Sequence, residues 1–107
     1  MKNKIIIREM IKQDIPQVAG LIEQLDEIFT SGHNITKQVI ESTFIKMNEY
    51  KNIYNNYVAV LDDKVVGLMS TVVYKTFFHP GGTMLINELV VDKNFRGRGI
   101  GELFINK

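Results

Sequence analysis

A chain of 107 residues has room for one domain at most, and with no cysteine it must build its core without disulfides or thiolate-bound metal. Its 45% hydrophobic and 23% charged residues are globular usage rather than a disordered or fibrous composition, so a buried core is expected. Thirteen basic and twelve acidic residues leave a formal charge of +1 without a basic stripe, which argues against a nucleic-acid partner.

No apolar run reaches the roughly 20 residues of a membrane-spanning helix. The opening MKNKIIIREM is too polar after residue 7 for a secretory signal. A soluble, cytoplasmic protein is the expectation. The first element is the β-branched run Lys4-Ile5-Ile6-Ile7-Arg8, suited to a buried strand. Ile15, Val18, Ala19, Ile22 and Leu25 then place one apolar stripe on a helix over 12–28, with Pro16 near its first turn. Thr30 to Asn34 is a polar break. Thr36 caps a second helix with the stripe Val39, Ile40, Phe44 and Met47, ending near Asn52.

Tyr57–Leu61 and Lys64–Tyr74 flank Asp62-Asp63, the pattern of two antiparallel strands joined by a tight turn. Thr76 to Gly82 is a loop whose Pro80-Gly81-Gly82 supplies the turn chemistry. Thr83 to Val91 forms a fourth strand, and a last helix opens around Arg96 to Gly101 and continues through Ile105. The order is β-α-α-β-β-β-α, without repeat, low-complexity tract or linker.

The segment after the fourth strand points to chemistry. Glycines at 97, 99 and 101 let backbone approach a ligand closely, and the amides that open the helix favour an anion, with Arg96 and Arg98 adding positive charge. A Walker loop would need a lysine and a hydroxyl after its last glycine, where this chain has Glu102-Leu103. A dinucleotide fingerprint needs Gly-x-Gly-x-x-Gly in a βαβ unit, and the spacing here is Gly97-x-Gly99-x-Gly101 after an antiparallel meander.

Arg96-Gly97-Arg98-Gly99-Ile100-Gly101 after Leu89-Val90-Val91-Asp92 resembles the signature of the GNAT superfamily of N-acetyltransferases. The likeness covers residues 85–105 closely and the whole chain loosely, with Lys93 standing where the family often has proline. The resemblance implies a mixed, mainly antiparallel α+β sheet and acetyl-CoA as cofactor. It implies that the amides of Arg96, Gly97, Arg98, Gly99, Ile100 and Gly101 hold the pyrophosphate. The main chain of Leu89, Val90 and Val91 would pair with the pantetheine arm like an added strand.

The implied reaction is transfer of acetyl to a primary amine, on a small molecule or a peptide. The acceptor stays open, since the family uses antibiotics, polyamines, small amines and protein amines on one scaffold. A carboxylate or ordered water near the thioester is expected as base, and Glu88 is the nearest carboxylate. Strict alternation puts Glu88 on the face of Ile86 and Val90, opposite Leu85, Asn87, Leu89 and Val91, and a bulge in this strand would change that parity. Glu88 also reads as a solvated or salt-bridged strand carboxylate. A non-catalytic acyl-CoA-binding module, or an inactive fragment, are the competing functions.

His33 and His79 sit in loops without a ligand cluster, so no metal site is expected. Phe77, Phe78, Tyr50, Tyr54 and Tyr57 could line an acceptor pocket, although aromatics near strand ends more often close a core. The family's later strands and helix fall beyond Lys107. The expectation is therefore a single domain over 1–107 that is incomplete at its C-terminal end and self-associates through strand 83–91 or is poorly stable.

Overall fold

The computed structural model describes residues 4–29 and 35–106; the expected break at 30–34, with His33, lies outside them. The strands are β1 (Ile6–Glu9), β2 (Tyr54–Leu61), β3 (Lys64–Tyr74) and β4 (Thr83–Val91), and the helices are α1 (Ile15–Phe29), α2 (Lys37–Asn48) and α3 (Ile100–Ile105). Short 3-10 turns at Lys12–Asp14 and Lys93–Phe95 lead into α1 and out of β4. The strands form one antiparallel sheet in the order β1-β2-β3-β4. The α+β class and the element order are those expected from the sequence.

The β2–β3 turn forms because Asp62 and Asp63 both take positive φ, at 51° and 65°, the left-handed pair that matches the twist of a two-residue hairpin. Beyond it the register shifts. Val60 faces Val65 while Ala59 faces Gly67, which leaves Val66 as an extra, bulged residue. The bulge turns Val66 and Gly67 to the same side of the sheet. Val65 and Leu68 join Val18, Leu21 and Phe44 in the core under α1 and α2, while Val66 and Met69 join Ile100 and Phe104 under α3. Every residue from Val65 to Thr71 is buried, because both faces of β3 are covered.

Gly67 is where α3 comes closest. A Cβ built there would lie 3.0 Å from the Phe104 ring and 3.3 Å from the Ala59 methyl, so the absent side chain is what lets the ring lie on the backbone. Gly20, exposed in the middle of α1, has no neighbour within 4 Å of such a Cβ.

Two glutamines tie α1 to the sheet. Gln17 Oε1 accepts from the amide of Val65 at 2.9 Å, and Gln24 Oε1 accepts from the amide of Lys93 at 2.9 Å. Residues 17 and 24 lie about two helical turns apart on one face, so α1 spans the start of β3 and the end of β4. The entry to α1 is held by a bidentate pair. Arg8 Nη1 and Nη2 donate to the two oxygens of Asp14, each at 2.8 Å, and the Ile11 amide donates to the same carboxylate at 2.8 Å.

Four expectations are corrected. β1 is an edge strand with Ile6 56% exposed rather than a buried one, since α1 lies over β3 and β4 and α2 over β2. Leu21, outside the expected stripe of α1, is buried because that helix packs on both the sheet and α2. Val39, assigned to the core stripe of α2, is half exposed. The second helix also stops at Asn48, short of Asn52.

Gly67→Val should lower stability by about 1–3 kcal/mol through overpacking against Phe104, while Gly20→Ala should raise it by about 0.5–1 kcal/mol. Urea melts of the two variants measure both. Burial pushes the Asp14 carboxyl up, but hydrogen bonds from Arg8 and the Ile11 amide outweigh it, and the net position is below the ordinary 3.8. A lowered folded value means that the stability contributed is full above pH 3.8 and is lost as pH falls through the folded value. Asp14→Asn should cost about 1–3 kcal/mol at neutral pH and flatten the acid limb of a melting-temperature profile.

Candidate functional site

The site begins with a break in the pleat of β4. Glu88 faces Ser70 across the β3–β4 ladder, but the next residue of β3, Thr71, faces Ile86, so Asn87 is bulged. Ile86 therefore packs with the cluster under α3, whereas Glu88 and Val90 share the opposite face. Of the grouping set by strict alternation, Glu88 stays with Val90 and parts from Ile86.

On that face lies a cavity of about 600 Å³ between the sheet, α1 and α2. Leu68, Ser70 and Glu88 belong to its sheet side, Val18, Ile22, Leu25 and Asp26 to its α1 wall, and Val39, Ile40, Phe44 and Met47 to its α2 wall. Asn56 also lines it and donates to the Met47 sulfur at 3.3 Å. Asp26 and Ser70 are lining residues outside the sequence expectation. Asp26 was legible, since it falls one turn after Ile22 on the apolar stripe of α1, where a carboxylate is out of place. Ser70 was not, because its face depends on the bulges.

Beyond Val91 the chain is pinned before it turns. The Asp92 amide donates to the Val66 carbonyl at 2.8 Å, and the Asp92 carboxylate caps the 3-10 turn by accepting from the Asn94 amide at 2.9 Å. Gly97 and Gly99 then adopt φ of 82° and 78°, conformations that side chains rarely tolerate. Gly101 has no such constraint; it sits in the first turn of α3 with open space where a Cβ would be.

Among the described residues no acceptor pairs with the amides of residues 97–102. The arginines brace the loop: Arg96 Nε donates to the Val91 carbonyl at 2.9 Å, and the Arg98 guanidinium lies 5.0 Å from the centre of the Phe95 ring. Lys64 Nζ lies 5.2 Å from the same ring. Positive charge thus gathers beside the free amides. The expected loop residues, Arg96 to Gly101, form one turn, and Leu89, Val90 and Val91 lead into it along β4. Val90 is buried, so only its main chain is available on the strand's outer edge.

None of the five aromatics considered as pocket residues lines the cavity. Nor do they generally close a core: Phe77, Phe78 and Tyr50 are exposed, and only Tyr57 packs against the α3 cluster. The β3–β4 connection holds the two phenylalanines out past the end of the sheet. Among the described residues no His, Asp or Glu group is arranged to hold a metal ion. None of their helices is long and apolar enough to cross a membrane.

Residues 20–107 match the family model described as the acetyltransferase (GNAT) family. The chain belongs to that family. The solved structures it resembles carry the same fold. A possible acetyltransferase from Clostridium difficile 630 is 24% identical with a TM-score of 0.79, and the match covers 95% of this chain and 66% of that one. Glucosamine-6-phosphate N-acetyltransferase from Arabidopsis thaliana is 24% identical with a TM-score of 0.78, covering 96% of this chain and 70% of that one. An aminoglycoside N-acetyltransferase solved in complex with CoA is 18% identical with a TM-score of 0.78, covering 99% and 67%. This GNAT chain spans about two thirds of the length of these relatives.

Proposed function

We propose that the chain is the acetyl-CoA-binding part of an N-acetyltransferase acting on a primary amine. The observation that carries the reading is the double use of the second half of β4: Glu88 lines a cavity, and three residues later the strand runs into a loop of unpaired amides and left-handed glycines. Family membership and the CoA complex of one structural relative support it.

The loop fits a pyrophosphate. The amides around Gly97, Gly99 and Gly101 lack internal partners, nothing stands within 4 Å of a Cβ at any of the three, and Arg96 and Arg98 supply charge. The outer edge of β4 faces no other strand among the described residues, so the main chain of Leu89, Val90 and Val91 can pair with an extended arm. The same edge, with Met84 and Leu85 half exposed, is where the isolated chain would self-associate.

Acetyl-CoA supplies the acetyl group as an activated thioester. Glu88 takes a proton from the acceptor's ammonium group, which frees the nitrogen lone pair. Glu88 is exposed at the mouth of the cavity, and Ser70, opposite it on β3, belongs to the same floor.

Gly99→Glu adds a side chain at positive φ and a negative charge beside the pyrophosphate, and it should abolish acetyl-CoA binding in calorimetry. Unchanged affinity would remove the loop from the site. Glu88→Gln should lower turnover about 100-fold, measured as free CoA release, while leaving acetyl-CoA affinity unchanged. Equal turnover across the pH range would leave water as the base. Tight acetyl-CoA binding with no CoA release from any amine would select a non-catalytic acyl-CoA-binding role.

A further inference from the structure

The floor of the cavity carries a row of polar side chains that the fold itself does not use. Asn56, Ser70 and Glu88 stand opposite one another on β2, β3 and β4, and all three line the cavity. The next row on the same face, Val58, Leu68 and Val90, is apolar and buried. Ser70 is only 4% exposed, yet its hydroxyl has no hydrogen-bond partner among the described residues. None of their side-chain oxygens is both sealed from solvent and unpartnered, so this hydroxyl opens into the cavity. Asn56 commits its amide nitrogen to the Met47 sulfur, a weak acceptor, and its Oδ1 has no donor among the described residues. A buried hydroxyl without a partner costs free energy on folding, and an alanine or valine at position 70 would avoid that cost. A polar row that the fold does not need points to a ligand.

We propose that the Ser70 hydroxyl binds the amino group of the acceptor beside Glu88, and that Asn56 continues the strip to a second polar atom of the same molecule. The inference rests on the acetyltransferase reading for the role of the cavity and adds two acceptor-binding residues to it. Side chains directly opposite on neighbouring strands have Cβ atoms about 4.5–5.5 Å apart, so one nitrogen lying between residues 70 and 88 is within reach of both. A primary ammonium carries three N–H donors. Glu88, exposed at the mouth of the cavity, accepts one of them and takes its proton. Ser70, deeper on the floor, accepts another, and this contact keeps the neutral amine seated after the proton has left. Because a hydroxyl and a carboxamide do not titrate, this hold on the acceptor is independent of pH where Glu88 is not.

The test compares Ser70→Thr with Ser70→Val, two side chains of the same shape of which only the first keeps a hydroxyl. Each variant and the unaltered chain are titrated with n-butylamine, followed by NMR at the Ser70 main-chain amide and the Asn56 side-chain amide, and separately with acetyl-CoA by calorimetry. Ser70→Val should bind the amine at least about 10-fold more weakly than Ser70→Thr, the loss expected for one hydrogen bond to a charged group. Its urea midpoint should equal or exceed that of Ser70→Thr, since no bond within the protein is lost, and acetyl-CoA affinity should be the same in both. Ser70→Ala against the unaltered chain repeats the comparison without added volume, should either larger side chain fail to fold. Equal amine affinity with and without the hydroxyl, no amine-dependent shift at Ser70 or Asn56, or a lower urea midpoint for Ser70→Val than for Ser70→Thr overturns the inference. Acetyl-CoA binding without the hydroxyl dependence overturns it while sparing the acetyltransferase reading. Hydroxyl-dependent amine binding without acetyl-CoA binding supports the strip as an amine site and overturns that reading.

Discussion

The double burial of β3 is the constraint from which the rest of the chain follows. A strand covered on both faces cannot use simple alternation of apolar and polar residues, and from Val65 to Thr71 this one has no exposed position. Two separate cores result. One lies under α1 and α2 and the other under α3, and the glycine at position 67 lets Phe104 seat against the backbone on the second side. α3 is short, so this seat and the neighbouring burial of Ile100 are what hold the helix that closes the glycine loop.

The candidate site uses the sheet twice. The Asn87 bulge lets β4 divide its labour, giving Ile86 to the α3 core and Glu88 to the cavity on the opposite face. The strand then stays in register long enough to deliver Val91 to the carbonyl contact with Arg96. Loop and carboxylate are thereby held on one rigid element, which is how a site keeps its geometry without a dedicated scaffold.

Much of this was legible in the residues, and what was not has a common cause. The bounds of β3 and β4 were readable because each is a long β-rich run closed by turn residues, and the Asp62-Asp63 hairpin because such a pair fits a left-handed turn. The glycine spacing announced the loop, and Gly97 and Gly99 adopt the backbone that only glycine takes easily. The two bulges left no trace. Val66 is an ordinary residue for a strand and Asn87, though uncommon in one, does not by itself mark a slip, because register is fixed by what each face must pack against, which a single chain read locally does not contain. The face of Glu88, the depth of Ser70 and the shape of the cavity all depend on those two slips. Leu21 and Val39 failed for a related reason: a helical stripe gives direction but not width, and width depends on how many neighbours a helix has.

The two glutamine ties of α1 make the walls of the cavity unequal in compliance. Through Gln17 and Gln24 the first helix is bonded to main-chain amides at the start of β3 and just past the end of β4, so any slide along its axis breaks a directional contact at each. The second helix rests on its neighbours mainly through the packing of two buried side chains, Ile40 and Phe44, beside one Asn56–Met47 hydrogen bond to β2 and an exposed Lys12–Glu41 ion pair. Non-directional packing of that kind yields in small steps. On the reading proposed above, a ligand too bulky for the resting cavity would be accommodated by α2 moving outward while α1, Glu88 and the loop keep their positions. On the same reading, substitutions that retune the size of the cavity without disturbing Glu88 or the loop will concentrate on the inner face of α2.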